Sequence, residues 1–115
     1  FDYYQGDPVQ EPLAIRGLTP LEKVYSFEPV PENLSAEDAA HILGAQGNVW
    51  TEYMATTDHV EYMVFPRMLA LAEVVWSPQE LRNWEDFVQR LPAQLQHLDT
   101  LGVNYRQPEV GGGAE

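Results

Sequence analysis

Gly44-Ala45-Gln46-Gly47-Asn48-Val49-Trp50-Thr51-Glu52 is the stretch on which the reading of this chain turns. It reads as a glycine-spaced, apolar strand that ends in an aromatic and a carboxylate two residues apart. In a strand, residues i and i+2 point to the same side, so Trp50 and Glu52 are expected to project together from its C-terminal end. A flat indole beside a carboxylate suits a sugar: the aromatic covers an apolar face and the carboxylate accepts hydroxyl hydrogens. By itself the pattern is only suggestive: an ordinary core tryptophan is the commoner reading of Trp50, and a rim salt-bridge carboxylate is the alternative for Glu52.

The residues on either side narrow this. The chain opens Phe1-Asp2-Tyr3-Tyr4-Gln5, runs through Thr19-Pro20-Leu21-Glu22-Lys23-Val24-Tyr25-Ser26-Phe27, and reaches the Trp50-Thr51-Glu52 strand. Glu61-Tyr62-Met63-Val64-Phe65-Pro66-Arg67-Met68-Leu69-Ala70-Leu71-Ala72-Glu73 follows, and then Trp76-Ser77-Pro78. In that order and spacing these segments resemble the C-terminal part of the catalytic domain of family 20 glycoside hydrolases, the β-N-acetylhexosaminidases. The resemblance runs from Phe1 to about Tyr105. It implies an α/β fold: the last two strands and closing helices of a (β/α)₈ TIM barrel, with an additional C-terminal helix. The expected organisation is a barrel segment over residues 1–105 and a flexible tail over 106–115, rich in glycine.

A complete barrel of this kind takes roughly 250 residues, and the chain has 115. An independent domain of that length is physically possible; the resemblance instead implies a fragment of a larger enzyme. Six basic against 18 acidic residues give a net charge of −12, which argues against nucleic-acid or anionic-membrane binding. No apolar run approaches the roughly 18 residues of a membrane span. Without cysteine there are no disulfides or thiolate metal sites, and the compartment stays open. Periplasmic, extracellular or lysosomal placement is implied by the resemblance alone.

Phe1–Gln5 reads as the tail of one strand. Pro8, Pro12, Pro20, Pro29 and Pro31 make Gly6–Pro31 an irregular excursion. Ser35 with Asp38 caps a short helix through about His41, and Ile42–Glu52 is the second strand. Asp58 with Glu61 starts a helix that turns Met63, Met68, Leu71, Ala72 and Val75 to a core; Pro66 either kinks it or marks its true first turn. Ser77-Pro78-Gln79-Glu80 signals a second helix start. Leu81, Trp84, Val88, Leu91, Leu95, Leu98 and Leu101 then repeat at helical spacing, with a bend near Pro92 and an end at Gly102. Trp76 and Trp84 fall on the apolar stripe and are expected in the core.

The resemblance also supplies a chemistry. Family 20 enzymes remove terminal β-linked N-acetylglucosamine or N-acetylgalactosamine by substrate-assisted retaining catalysis, in which the sugar's acetamido oxygen attacks its own anomeric carbon. They use an adjacent Asp-Glu pair from a strand absent here. Glu37-Asp38 and Glu85-Asp86 stand in helical, solvent-prone patterns and read as surface charge. No catalytic residue is therefore assigned, and the segment alone is expected to be inactive. Three positions match binding residues of the family. Trp50 resembles the tryptophan around the acetamido methyl, and Glu52 the glutamate that accepts from the O4 and O6 hydroxyls. Asp2 resembles the aspartate that reaches the O6 region. A family tyrosine two residues before that aspartate has no counterpart, because it would precede Phe1. Arg67 and Glu73 are read as structural anchors. His41, His59 and His97 lack ligand spacing, so neither metal nor cofactor is implied. The expected partners are N-acetylhexosamine-containing glycans and the rest of the barrel or a second copy. The alternative is a non-catalytic sugar-binding, structural or self-associating fragment.

Overall fold

The computed structural model describes residues 1–110, so the glycine run from 111 on lies outside the described residues. Among them, two short strands and five α-helices form one mixed α/β body: β1 (Tyr3–Tyr4), β2 (Ile15–Leu18), α1 (Leu21–Tyr25), α2 (Ala36–Ala39), α3 (Thr57–Val64), α4 (Arg67–Trp76) and α5 (Trp84–Thr100).

The strands are parallel, with Tyr3 opposite Ile15 and Tyr4 opposite Leu18 across an irregular register. Ladder bonds run from Ile15 N to Asp2 O (3.2 Å) and from Thr19 N to Tyr4 O (2.8 Å). The partner of the opening strand is thus Ile15–Leu18, inside the stretch expected to be irregular. Four residues between Pro12 and Pro20 suffice for a short strand, and Pro20 then stands at the N-cap of α1. The second strand expected at Ile42–Glu52 does not form. A strand exists through its ladder, and this run meets the start of β1 only through a few bonds described below.

The core lies where α1 and α4 pack and α5 closes over them. Leu21, Val24 and Tyr25 of α1 meet Ala70, Leu71 and Val74 of α4, and Phe87 and Leu91 of α5. The rings of Tyr25, Trp84 and Phe87 pack at centroid distances of 4.7–5.7 Å. Arg67, Ala70, Leu71 and Val74 define the buried face of α4, the i, i+3, i+4, i+7 stripe of an amphipathic helix.

That phase corrects the sequence reading. Pro66 divides the run into α3 and α4, so one periodicity does not carry through. Met63 and Leu71 are buried and Met68 is half-buried, but Ala72 and Val75 are exposed. Trp76, expected in the core, is 89% exposed, because two residues past Val74 a helix turns to its opposite side. The start of α3 is capped by Thr56, whose hydroxyl accepts from His59 N (3.1 Å), rather than by Asp58. Ser77 closes α4. Asn83, not Ser77, caps α5 by accepting from Asp86 N (2.9 Å), with a single 3₁₀ turn at Gln79–Leu81 between.

Other signals read as written. Ser35 Oγ accepts from Asp38 N (3.1 Å), and Glu37, Asp38, Glu85 and Asp86 are exposed in the first turns of α2 and α5, where a helix dipole favours acids. The last helix ends before Gly102, which takes the left-handed φ of 72° common past a helix C-cap. Pro92 sits on its exposed side without ending it. Of the tail expected from 106, Arg106 is buried: its guanidinium pairs with Glu11 (2.7 Å), and its amide donates to Phe65 O (3.1 Å).

Candidate functional site

A cleft of about 540 Å³ opens between the start of β1, one side of α1 and the run from Gln46 to Glu52. Asp2, Trp50 and Glu52 all line it, together with Phe1, Lys23 and Phe27. The three residues singled out in the sequence therefore come together, though not by the route expected.

No strand alternation carries Trp50 and Glu52 to one side. Thr51 between them takes φ 61°, the left-handed region, which is an outlier for a β-branched residue. Met54 N then donates to Thr51 O (3.1 Å) and closes a turn. The chain swings at Thr51, and the swing brings Glu52 back to the cleft that Trp50 borders. Trp50 is 70% exposed, so its indole is an open wall rather than a core residue. Glu52 is also exposed.

Asp2 is of another kind. It is buried, and its Oδ1 accepts from Trp50 N (2.7 Å) and Thr51 N (3.3 Å). Beside it, Phe1 N donates to Asn48 O (2.7 Å). The wall from Asn48 to Thr51 is thus tied to the first two residues by one main-chain bond and one carboxylate. Lys23 donates to Leu18 O (3.1 Å) and brings an ammonium to the lining that holds Asp2 and Glu52.

Behind the cleft stands Arg67, fully buried. Its guanidinium donates to Tyr3 O (3.0 Å), Thr19 O (3.1 Å), Met63 O (2.7 and 3.0 Å) and Phe1 O. It also lies 5.2 Å from the Phe1 ring centroid. Burial pushes its pKa down to about 10, while the Asp2 charge pulls the other way; it remains a cation at neutral pH. The expected anchoring role of Arg67 takes the form of hydrogen bonds to four carbonyls. Glu73 anchors differently, accepting from Tyr25 Oη (2.6 Å) and pairing with Arg90 (2.6 Å).

Sequence reasoning missed a second buried polar cluster. Gln5 donates to Tyr62 O (2.8 Å), Tyr62 Oη to Glu11 Oε2 (2.7 Å), and Glu11 pairs with Arg106. Burial and the Glu11 carboxylate both raise the Tyr62 phenol above its ordinary value. Gln5 and Glu11 lie in unpatterned sequence, and no local signal marks them. Among the described residues, no group of three or more His, Cys, Asp or Glu side chains is placed to hold a metal ion, and no helix is long and apolar enough to cross a membrane.

Residues 1–79 match the model of the glycosyl hydrolase family 20 catalytic domain. The chain belongs to that family. It is 44% identical over 115 residues to a beta-hexosaminidase of Porphyromonas gingivalis, covering 98% of this chain and 15% of that protein. A beta-hexosaminidase of Akkermansia muciniphila is 36% identical over 83 residues, covering 70% of this chain and 16% of that protein. The chain thus spans about a sixth of the length of these family 20 relatives.

Two solved family 20 structures resemble it. The GH20 beta-N-acetylhexosaminidase of Streptomyces coelicolor superposes with a TM-score of 0.79 at 26% identity, over 94% of this chain and 22% of that one. The GH20 exo-beta-N-acetylglucosaminidase of Vibrio harveyi, solved in complex with N-acetylglucosamine, gives 0.67 at 40% identity, over 78% of this chain and 14% of that one. As a family 20 segment, the body of α1, α4 and α5 supports a cleft whose aromatic and carboxylate face open solvent.

Proposed function

We propose that this segment forms part of the terminal-sugar site of a β-N-acetylhexosaminidase, as the C-terminal portion of its (β/α)₈ barrel. The opening strand would belong to the seventh barrel strand and the extended run to Glu52 to the eighth. The enzyme would hydrolyse terminal β-linked N-acetylglucosamine or N-acetylgalactosamine. The observation that carries this is the convergence of Asp2, Trp50 and Glu52 on one cleft in a chain of this family.

Trp50 is the apolar wall for the acetamido group. A confined methyl holds the carbonyl oxygen close to the anomeric carbon, which is the positioning that substrate-assisted attack requires. Glu52 accepts from the sugar's O4 and O6 hydroxyls, and a carboxylate is the stronger acceptor for this. The acid that protonates the leaving oxygen and the aspartate that orients the acetamide come from outside these 115 residues.

The test is Trp50→Ala and Glu52→Gln in an enzyme carrying this segment, assayed on an aryl N-acetyl-β-glucosaminide. Loss of a hydrogen bond to a charged acceptor corresponds to roughly a ten- to hundredfold fall in kcat/KM for Glu52→Gln. Wild-type kcat/KM in both variants would sink the reading.

A second reading, a structural segment that associates through its apolar surface, draws on exposed Leu43, Trp76 and Leu81. It predicts a change of oligomeric state for Trp76→Ser by sizing, with the kinetics of Trp50→Ala unaltered.

A further inference from the structure

Thr51 is the one non-glycine residue with positive φ among the described residues, and it separates the two side chains read as sugar-facing. A β-branched residue does not rest in that region unless its surroundings hold it there. The holding group is visible. Asp2 Oδ1 takes the amides of Trp50 and Thr51 together, so the backbone on the N-terminal side of the swing is fixed at two successive N–H groups.

Asp2 is itself fixed. It is 7% exposed and stands between Phe1 and Tyr3, whose carbonyls both accept from Arg67. Carboxylate-to-amide bonds of this type are short and strong, and the 2.7 Å contact to Trp50 N has that length. Only Oδ1 is engaged by these amides, and Asp2 also lines the cleft.

We propose that Asp2 is a positioning residue of the cleft: its buried carboxylate holds Trp50 and Thr51 by their amides and thereby sets where the indole and the Glu52 carboxylate stand. This rests on the reading of Trp50 and Glu52 as the sugar-facing pair. It gives Asp2 a task beside the O6 contact that the family resemblance implies. Arg67, Phe1, Asp2, Thr51 and Glu52 then form one mechanical line from the buried cation to the cleft.

The experiment compares Asp2→Ala, which removes the acceptor, with Asp2→Asn, which keeps an acceptor oxygen in the same place. In an enzyme carrying this segment, kcat/KM is measured on an aryl N-acetyl-β-glucosaminide and on its 6-deoxy counterpart. Amide hydrogen exchange at Trp50 and Thr51 is followed without sugar. Asp2→Ala is expected to lower kcat/KM on both substrates, by about a hundredfold on the 6-deoxy one, where no O6 contact contributes. The same substitution should cost far less when Glu52 is already Gln, and Asp2→Asn should recover most of the loss on the 6-deoxy substrate. Exchange at the two amides should speed up in the Ala variant and stay slow in the Asn variant.

A loss that disappears on the 6-deoxy substrate, with exchange unchanged, would make Asp2 a sugar ligand only and overturn the proposal. Faster exchange together with wild-type kinetics in both the Asp2 and Glu52 variants would overturn the sugar reading, and with it the purpose given to Asp2. Should Asp2→Ala fail to fold, Asp2→Asn decides: activity lost on the 6-deoxy substrate despite protected amides also overturns the positioning role.

Discussion

Helices α1, α4 and α5 hold one another through a contiguous apolar cluster of Leu21, Val24, Tyr25, Ala70, Leu71, Val74, Phe87 and Leu91. The cleft wall from Gln46 to Glu52 has no such cluster. It is held by single hydrogen bonds, from Phe1 N to Asn48 O and from two amides to Asp2. The first region is stabilised by area, summed over many contacts that each tolerate small changes. The second depends on a few directional bonds whose donors and acceptors lie far apart in sequence. A wall built this way can leave Trp50 open to solvent and still fix its position, which an apolar cluster would do only by burying it.

The largest expected effect comes where the two regions join. Arg67→Met removes the donor for the carbonyls of Phe1, Tyr3, Thr19 and Met63 and leaves Asp2 without its neighbouring cation. Removing one member of a buried charged network costs roughly 3–5 kcal/mol. Denaturant unfolding should show this, and amide exchange at Trp50 and Thr51 should accelerate beyond what the global loss explains. An Arg67→Met chain as stable as the parent would show that the carbonyls find other donors and that the join is not where the wall is held.

Leu91→Ala acts on the other region alone. Leu91 is almost fully buried among α1, α4 and α5, and truncation there is expected to cost about 2–4 kcal/mol through lost transfer energy and a residual cavity. Exchange at the cleft amides should then change only in step with global stability. A selective opening at Trp50 would mean that the wall leans on helix packing after all, and the contrast between the regions would dissolve.

The same contrast decides how much of the molecule was legible from sequence. Ser35, Gly102 and the Trp84–Leu98 periodicity were readable because capping and amphipathic packing leave local, repeating marks. Trp76 was misplaced because a stripe was carried across Pro66, where the helix restarts in a new phase. Ile15–Leu18 was hidden by flanking prolines, which speak against long elements but permit a four-residue strand. The run to Glu52 has the composition of a strand, and Thr51 strengthens that appearance. Its left-handed φ occurs where its amide bonds to Asp2, some fifty residues away in sequence, and no local propensity encodes it. Asp2, Trp50 and Glu52, expected on resemblance to bind sugar, do line one cleft, while the geometry that unites them was not foreseen. Arg67 could be suspected as a lone cation in an apolar helix. Its four carbonyl partners could not.

The smallest effect tests the wall at a point where no polar group is touched. Gly47 is not at positive φ, so an alanine there costs nothing in backbone strain. Its methyl, however, would fall inside van der Waals contact of the Phe1 ring, 2.7 Å from Cζ. The ring lies close to the Arg67 guanidinium, so moving it away disturbs the cation that holds the carbonyls. Overpacking of this kind costs about 1–3 kcal/mol, and Gly47→Ala should show it by denaturant unfolding. Gly44→Ala is the matched control, since its methyl meets nothing within 4 Å and should alter stability by no more than about 0.5 kcal/mol. If the two substitutions prove equivalent, Phe1 yields freely and the wall has slack. If Gly47→Ala alone destabilises and also speeds exchange at Trp50, contact shape and hydrogen bonding fix the wall together, and the polar line from Arg67 to Glu52 works only because Phe1 stays where Gly47 leaves room for it.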